Sequence, residues 1–329
     1  MKPGDMSAEL DFALRAAREA ARLSESVRLE LVDSAMVKND RSPVTVADFA
    51  VQALVSHRLS KAFPQDKLVG EENASELKKP ENAALLKHVQ NYVCRLLPEI
   101  KPDSILALID RGGAEAKGRY WVLDPVDGTK GFLRKDQYAV AIALIENGIV
   151  KLGVLACPNL KEGRVPDAGG PGTLAFAEKG KGAWRTSLKT EGSVYPLKVS
   201  SCDKPSESIL LRSSDEAHMD VEKTKELLES LKITKPPVEM SSLAKHVMLA
   251  SGAADFFLRL LPPKHPEYRE KIWDQAPGLV IIQEAGGILT DSDGKALDFK
   301  HGRTLAENRG LLGANARLHP QILSALKQA

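Results

Sequence analysis

Cysteine is scarce in this chain. Cys94, Cys157 and Cys202 stand far apart and are odd in number, which argues for buried thiols in a reducing compartment and against a disulfide framework or a paired-thiol metal site. No stretch approaches the roughly 18 apolar residues of a membrane span. The net charge is only +2, too small for a nucleic-acid field, and the lysines at Lys78-Lys79 are too few to change that. Residues 1–26 have no signal-peptide core and carry Asp5, Glu9, Asp11 and Glu19, acids that transit peptides avoid. The expectation is a soluble, cytoplasmic protein with no nucleic-acid, membrane or obligate protein partner. Internal repeats and low-complexity tracts are missing as well. So are HExxH, a P-loop and any convincing Ser-His-Asp or nucleophilic-cysteine arrangement.

What is there is ordinary globular material. The chain has 329 residues, 43% hydrophobic and 27% charged, enough for one large α/β fold or two lobes. Leu10, Phe12, Ala13, Leu14, Ala17, Ala20 and Ala21 suit one face of a helix over residues 7–26. Residues 38–43 read as a loop, and a second helix is expected over 45–63, stopped by Pro64. A short strand over 67–70 ends at Glu71-Glu72, and Pro80 opens a helix to about residue 97. Residues 119–123 form a buried strand that leads into Asp124. Strands over 139–145 and 149–156 pair across Asn147-Gly148. A loop from about residue 159 holds Gly169-Gly170-Pro171-Gly172, and a second hairpin spans 173–184.

Past residue 200 strands alternate with helices. Strands are expected at 209–212, 256–260 and 288–290, and helices at 221–231, 242–250 and 275–284, the last closed by Gly286-Gly287. This predicts an α+β lobe over 1–200 and an α/β lobe over 201–329 without a flexible linker.

Acidic residues collect at the ends of these elements. Asp124 and Asp127 lie three apart in Asp124-Pro125-Val126-Asp127-Gly128-Thr129, expected as a turn after the buried strand. Pro125 fixes φ, Gly128 clears space for a phosphate to approach the backbone, and Thr129 offers a hydroxyl that can orient water. The N–H groups after Asp127 can face an anion at a helix start. Carboxylate and carbonyl oxygens are hard donors that suit Mg²⁺. An Asx-turn with a helix cap accounts for the same residues.

Glu71-Glu72 are adjacent acids that repel unless a cation or solvent screens them; a solvated turn is the alternative. Asp48 follows Thr45 with the spacing of a capping box, and Asp274 could be a plain N-cap. Four acidic clusters at element ends are also where an active site usually sits on such a scaffold. Their joint chemistry would be two-metal phosphate hydrolysis, with no protein nucleophile required. Asp291-Ser292-Asp293-Gly294 starts like a calcium loop but lacks the later ligands, and reads as a turn.

Four motifs occur in one order: Ser42-Pro43-Val44-Thr45-Val46-Ala47-Asp48, Val69-Gly70-Glu71-Glu72, the Asp124–Thr129 hexapeptide and Trp273-Asp274, followed by Glu284-Ala285-Gly286-Gly287. On them the chain resembles the lithium-sensitive, metal-dependent phosphatases that include inositol monophosphatase and the 3′(2′),5′-bisphosphate nucleotidases. The resemblance covers about residues 40–290. Lys130-Gly131-Phe132-Leu133-Arg134, Gln137-Tyr138-Ala139-Val140, Cys157-Pro158-Asn159-Leu160 and Glu270-Lys271-Ile272-Trp273-Asp274 bring it closest to the eukaryotic-type nucleotidases.

The resemblance implies a layered α-β-α-β-α sandwich of the inositol monophosphatase-like type. It implies that Glu71, Asp124, Asp127, Asp274 and the Val126 carbonyl hold two or three Mg²⁺ ions, with inhibition by Li⁺. Asp48 and Thr129 would activate the attacking water, and Gly128 and Thr129 would contact the scissile phosphate. Ser242, Lys245, Arg259 and, on a weaker match, His218 would contact the nucleotide. The loop over 213–220 and the segment over 261–266 depart from the family pattern. The implied reaction removes the 3′-phosphate of adenosine 3′,5′-bisphosphate, giving AMP and phosphate, with 3′-phosphoadenosine 5′-phosphosulfate as a second substrate. The alternatives are an inositol monophosphate or polyphosphate 1-phosphatase, and a non-catalytic phosphonucleotide sensor.

Overall fold

Ser7 starts the first helix: its Oγ accepts from the Leu10 N–H at 3.1 Å, and an alanine-rich apolar stripe then follows along Ala8–Val27 (α1). The computed structural model describes residues 6–32, 42–190, 192–213, 220–240, 242–261 and 267–328. In chain order the next elements are Ser42–Ala62 (α2), Lys67–Gly70 (β1), Ala83–Leu96 (α3), Ile105–Asp110 (α4), Arg119–Asp127 (β2) and Thr129–Leu133 (α5). Ala139–Glu146 (β3), Ile149–Cys157 (β4), Leu160–Lys161 (β5), Val165–Pro166 (β6), Thr173–Glu178 (β7), Ala183–Ser187 (β8) and Tyr195–Pro196 (β9) follow. The chain continues through Leu210–Arg212 (β10), Val221–Ser230 (α6), Val238–Glu239 (β11), Ala244–Ala250 (α7) and Phe256–Arg259 (β12). Ile272–Glu284 (α8), Gly287–Thr290 (β13), Leu311–Asn315 (β14) and His319–Leu326 (α9) end it.

Three expectations shift in ways that matter for the site. Helix α2 begins at Ser42 rather than near residue 45, because Pro43 is tolerated in a first turn whose N–H groups have no intrahelical partner. Asp48 therefore sits in the second turn, and Thr45 lies inside the helix rather than at its N-cap. Strand β2 runs on through Asp127, so the acidic motif is the end of a strand rather than a turn after it. Helix α8 starts at Ile272, three residues earlier than expected, which puts Asp274 in its first turn and leaves the N-cap to Lys271. The Asn147-Gly148 hairpin is as expected: both residues have positive φ, 51° and 77°, the pairing that matches strand twist. Asp291 closes a tight turn, its Oδ1 accepting from the Asp293 and Lys295 N–H groups at 3.0 and 2.8 Å.

Two sheets carry the fold. The larger has the order β1-β2-β3-β4-β7-β8-β9, and the smaller β11-β10-β12-β14-β13. Alternation along the larger sheet sends Trp121, Leu123, Ile142 and Leu144 to one face, where α1 and α2 cover them. Tyr120, Val122, Ala141 and Ala143 point the other way, onto α7 and α8. The same core takes in Leu211, Phe257 and Leu311 from the smaller sheet, so α7 and α8 are sandwiched between the sheets. Leu210, Phe256 and Leu312 face outward onto α6 and α9. The result is five layers, α-β-α-β-α, as the resemblance implies. Helix α8 is buried nearly all round, and it approaches β4 so closely that a Cβ on Gly153 would lie 2.6 Å from the Pro277 carbonyl oxygen.

Candidate active site

Strands β1 and β2 run parallel with Gly70 opposite Leu123, so their C-terminal ends release Glu71 and Asp124 side by side. The Glu71 N–H donates to the Leu123 carbonyl at 3.2 Å and extends that alignment by one residue. Past Asp124 the β2–β3 ladder is irregular: Asp124 pairs with Ala141 and Asp127 with Ala139, so Pro125 and Val126 together oppose one residue. This bulge re-aims the strand end. Gly128 then takes φ 90°, a left-handed turn that only glycine adopts at no cost, and Thr129 opens the five-residue helix α5. Asp48 reaches the same region from α2, and Asp274 from the first turn of α8.

The electrostatics show how tightly these acids are crowded. Burial pushes Asp124 well above the usual carboxylate range, and Glu71, Asp127, Asp274 and Asp48 all add to the effect. Asp274 is raised well above its ordinary value by burial and by Asp127, Glu270 and Glu71. Asp48 is raised by burial and by Glu72 and Glu71. Asp127 is pushed up to about 6 by burial, held back by the Leu243 N–H and by Lys245. Glu71 keeps a solvent-exposed face, but the protein around its carboxyl still raises it, against a hydrogen bond with Asp124. Carboxylates crowded this closely repel one another, so a cation would relieve the arrangement. The donors are oxygens throughout, the chemistry that suits a hard divalent ion. Among the described residues no three His, Cys, Asp or Glu side chains are closed into a preformed cage.

A cleft of about 310 Å³ opens beside these acids. Asp127, Gly128, Thr129 and Asp274 line one part of it, and Ser242, Lys245 and Arg259 line another. The structure thus brings seven of the expected residues onto one cavity. Asp48, Glu71, Asp124 and Val126 are not in its lining, and His218 lies outside the described residues.

Asp127 is gripped from across the cleft, because one carboxylate oxygen accepts the Leu243 N–H just ahead of α7. Among the described residues no hydrogen bond or ion pair holds the Lys245 ammonium, and burial together with Arg259 lowers its pKa. Arg259 is half-buried and ion-paired with Glu270. It donates to Glu270 Oε2 at 3.2 Å and to the Tyr268 hydroxyl at 3.1 Å, while facing the cleft.

Several residues here carry roles that the sequence did not assign them. Glu270 is 4% exposed, orients Arg259, and also accepts from Gln275 Nε2 at 3.2 Å. His246 lines the cleft with a buried Nδ1 that has no hydrogen-bond partner among the described residues, and burial lowers its pKa to about 3. Gln52, one turn beyond Asp48 on α2, accepts from the Glu72 N–H at 3.0 Å and donates to the Glu72 and Ile109 carbonyls at 2.6 and 2.8 Å. Its amide fills the space between Gly70 and Gly112, where a Cβ on either glycine would collide with it. The two flanking glycines were the only sequence signal for that contact.

Comparison with known proteins agrees with this geometry. Residues 5–329 match the inositol monophosphatase family. A 3′(2′),5′-bisphosphate nucleotidase of Oryza sativa is 40% identical over 343 residues, spanning 98% of this chain and 94% of that protein. A Candida albicans 3′(2′),5′-bisphosphate nucleotidase 1 is 36% identical over 350 residues, spanning 97% and 95%. Among solved structures, the Staphylococcus aureus inositol monophosphatase-II superposes with a TM-score of 0.65 at 20% identity, covering 98% of this chain and 94% of that one. The Thermotoga maritima IMPase gives 0.63 at 20% identity, covering 98% of both; at such identity these two likenesses speak for the fold alone. By its family match and its full-length relatives, the chain belongs to the inositol monophosphatase family.

Proposed function

We propose that this chain is a Mg²⁺-dependent phosphatase that removes the 3′-phosphate of adenosine 3′,5′-bisphosphate, giving AMP and phosphate. The observation that carries the reading is the cleft itself. It sets the acids Asp127 and Asp274 against two cationic side chains, Lys245 and Arg259. Such a cavity suits a substrate with one phosphate at the carboxylates and a second anionic group beyond them. The activity named for the Oryza sativa and Candida albicans relatives supports the choice of a nucleotide.

In this reading Glu71, Asp124, Asp127, Asp274 and the Val126 carbonyl hold the metal. Bound Mg²⁺ would supply charge neutralisation and a more acidic water. Asp48, whose carboxyl burial and the nearby Glu72 and Glu71 keep protonated without metal, would ionise once the cation is bound and then take a proton from water oriented by the Thr129 hydroxyl. Gly128 presents bare backbone to the phosphate. Ser242, Lys245 and Arg259 orient the nucleotide, with Glu270 fixing the Arg259 fork. His218 would join them. Residues 1–200 would then carry most of the metal ligands, and 201–329 Asp274 and the nucleotide contacts. Li⁺ would inhibit by entering the magnesium site.

Phosphate release over a panel of adenosine 3′,5′-bisphosphate, 3′-phosphoadenosine 5′-phosphosulfate, inositol 1-phosphate and inositol 1,4-bisphosphate, with and without Mg²⁺, tests the proposal. The nucleotide should be preferred, and turnover should require the metal. Preference for an inositol phosphate would reassign the substrate, and binding without release would make the chain a sensor. Asp127→Asn should lower turnover by more than the roughly 10–100-fold typical of losing an outer-shell partner of a metal ligand. Normal turnover by that variant at saturating Mg²⁺ would remove Asp127 from the metal site.

A further inference from the structure

Arg303 links the two segments, far apart in the chain, that carry Glu71 and Asp274. It lies between β13 and β14, next to the bridge that Thr304 makes with Lys271. Its backbone carbonyl accepts the Ile272 N–H at 3.2 Å and so occupies an otherwise unpaired donor at the start of α8. Its side chain turns to the end of β1: Nη1 donates to the Gly112 carbonyl at 3.1 Å, and Nη2 donates to the Gly70 carbonyl. The guanidinium also lies over the Trp273 ring, 4.8 Å from its centroid. Gly70 immediately precedes Glu71, and Trp273 immediately precedes Asp274. A single residue therefore fixes the chain one position ahead of each of these two acids.

We propose that Arg303 is a positioning residue for the metal-binding carboxylates, setting Glu71 against Asp274 and so determining metal affinity without touching substrate. The inference rests on the assignment of those acids as ligands. The guanidinium suits the task because its planar fork spans two carbonyls while its face stacks on an aromatic ring, and an ammonium cannot do both. Its charge is not what helps. A fixed positive charge beside a cation site repels the cation, so positioning and charge predict opposite outcomes when the residue is changed.

Calorimetric titration with Mg²⁺ separates them, using the full chain as wild type, Arg303→Lys and Arg303→Met, each checked for native circular dichroism. Positioning predicts that both variants bind Mg²⁺ roughly 10-fold more weakly or worse, although lysine keeps the charge. In a Glu71→Gln background, Arg303→Met should add little further loss, because one of the two acids it aligns has gone and Asp274 is left with no Glu71 carboxylate to be set against. Wild-type affinity in Arg303→Lys, tighter binding in Arg303→Met, or a full additional loss in the Glu71→Gln background would overturn the proposal. A wild-type chain that binds no Mg²⁺ would overturn the ligand assignment instead. Should Arg303→Met fail to fold, Trp273→Leu removes the stacking face along with some buried core volume; with native circular dichroism confirmed, it should weaken Mg²⁺ binding in the same direction, and unchanged binding there would count against the proposal.

Discussion

The carboxylate of Asp127 is held between a strand bulge behind it and the Leu243 N–H in front, and the residues around it leave little slack. The cleft wall opposite is just as tightly set. His246 packs against Phe257 with ring centroids 4.9 Å apart and planes tilted by 49°, and a Cβ on Gly278 of α8 would lie 2.1 Å from His246 Nδ1. Gly278→Ala should therefore drive the imidazole toward the cleft. The strain should cost about 1–3 kcal/mol, measured by urea unfolding. Substrate affinity should suffer more than turnover, read as a rise in KM with kcat nearly kept. An unchanged KM would mean that the ring does not border the bound substrate. Burial keeps His246 neutral down to about pH 3, so its contribution to the cleft is a neutral ring and not a third cation beside Lys245 and Arg259.

At the scale of elements, α2 does two jobs one turn apart: it carries Asp48 and, through Gln52, holds the loop that carries Glu71 and Glu72. Gln52→Ala would leave the Glu72 N–H and the Glu72 and Ile109 carbonyls without their partner in a buried place. Each such orphan costs about 1–3 kcal/mol, so urea unfolding should show a loss of at least that size, and less would mean that water replaces the amide. This contact also marks what could be read in advance. Strand β1, the Asn147-Gly148 hairpin and the acidic motifs were legible because local spacing, turn chemistry and burial pattern determine them. The start of α2 was placed late because Pro43 falls inside its first turn, and that of α8 because no side-chain cap marks it; α8 instead takes its first acceptor from the Arg303 carbonyl, far along the chain. Gln52 and Arg303 escaped notice for the same reason, and Glu270, named only as the head of a motif, received no role, since each acts on a partner that only the tertiary fold supplies. Helices α4 and α9 and strand β14 also went unassigned, the last two lying beyond the final recognised motif.

For the whole molecule, the cluster ties stability to pH and to metal. Burial raises Asp127 to about 6, and burial with Glu71 raises Glu72 to about 7. Groups shifted upward stabilise the fold fully below their unfolded pKa, and that stability is lost as pH rises through the folded value. The metal-free protein should therefore lose stability from these groups between about pH 4 and 7. Mg²⁺ binds the ionised acids and adds RT ln(1 + [Mg²⁺]/Kd) to stability. The gap in melting temperature with and without Mg²⁺ should widen steadily across that range; a gap independent of pH would refute the coupling. The position of α8 between the sheets has a consequence at a different moment in the protein's life. The larger sheet is complete once Tyr195–Pro196 has emerged, but the helix that covers its inner face ends only at Glu284. At synthesis rates of ~5–20 residues per second, that face waits roughly 4–18 s for its cover. Through that interval the nascent chain presents Val122, Ala141, Ala143 and Leu155 to the surroundings of the ribosome, and the demand for chaperone protection is concentrated there.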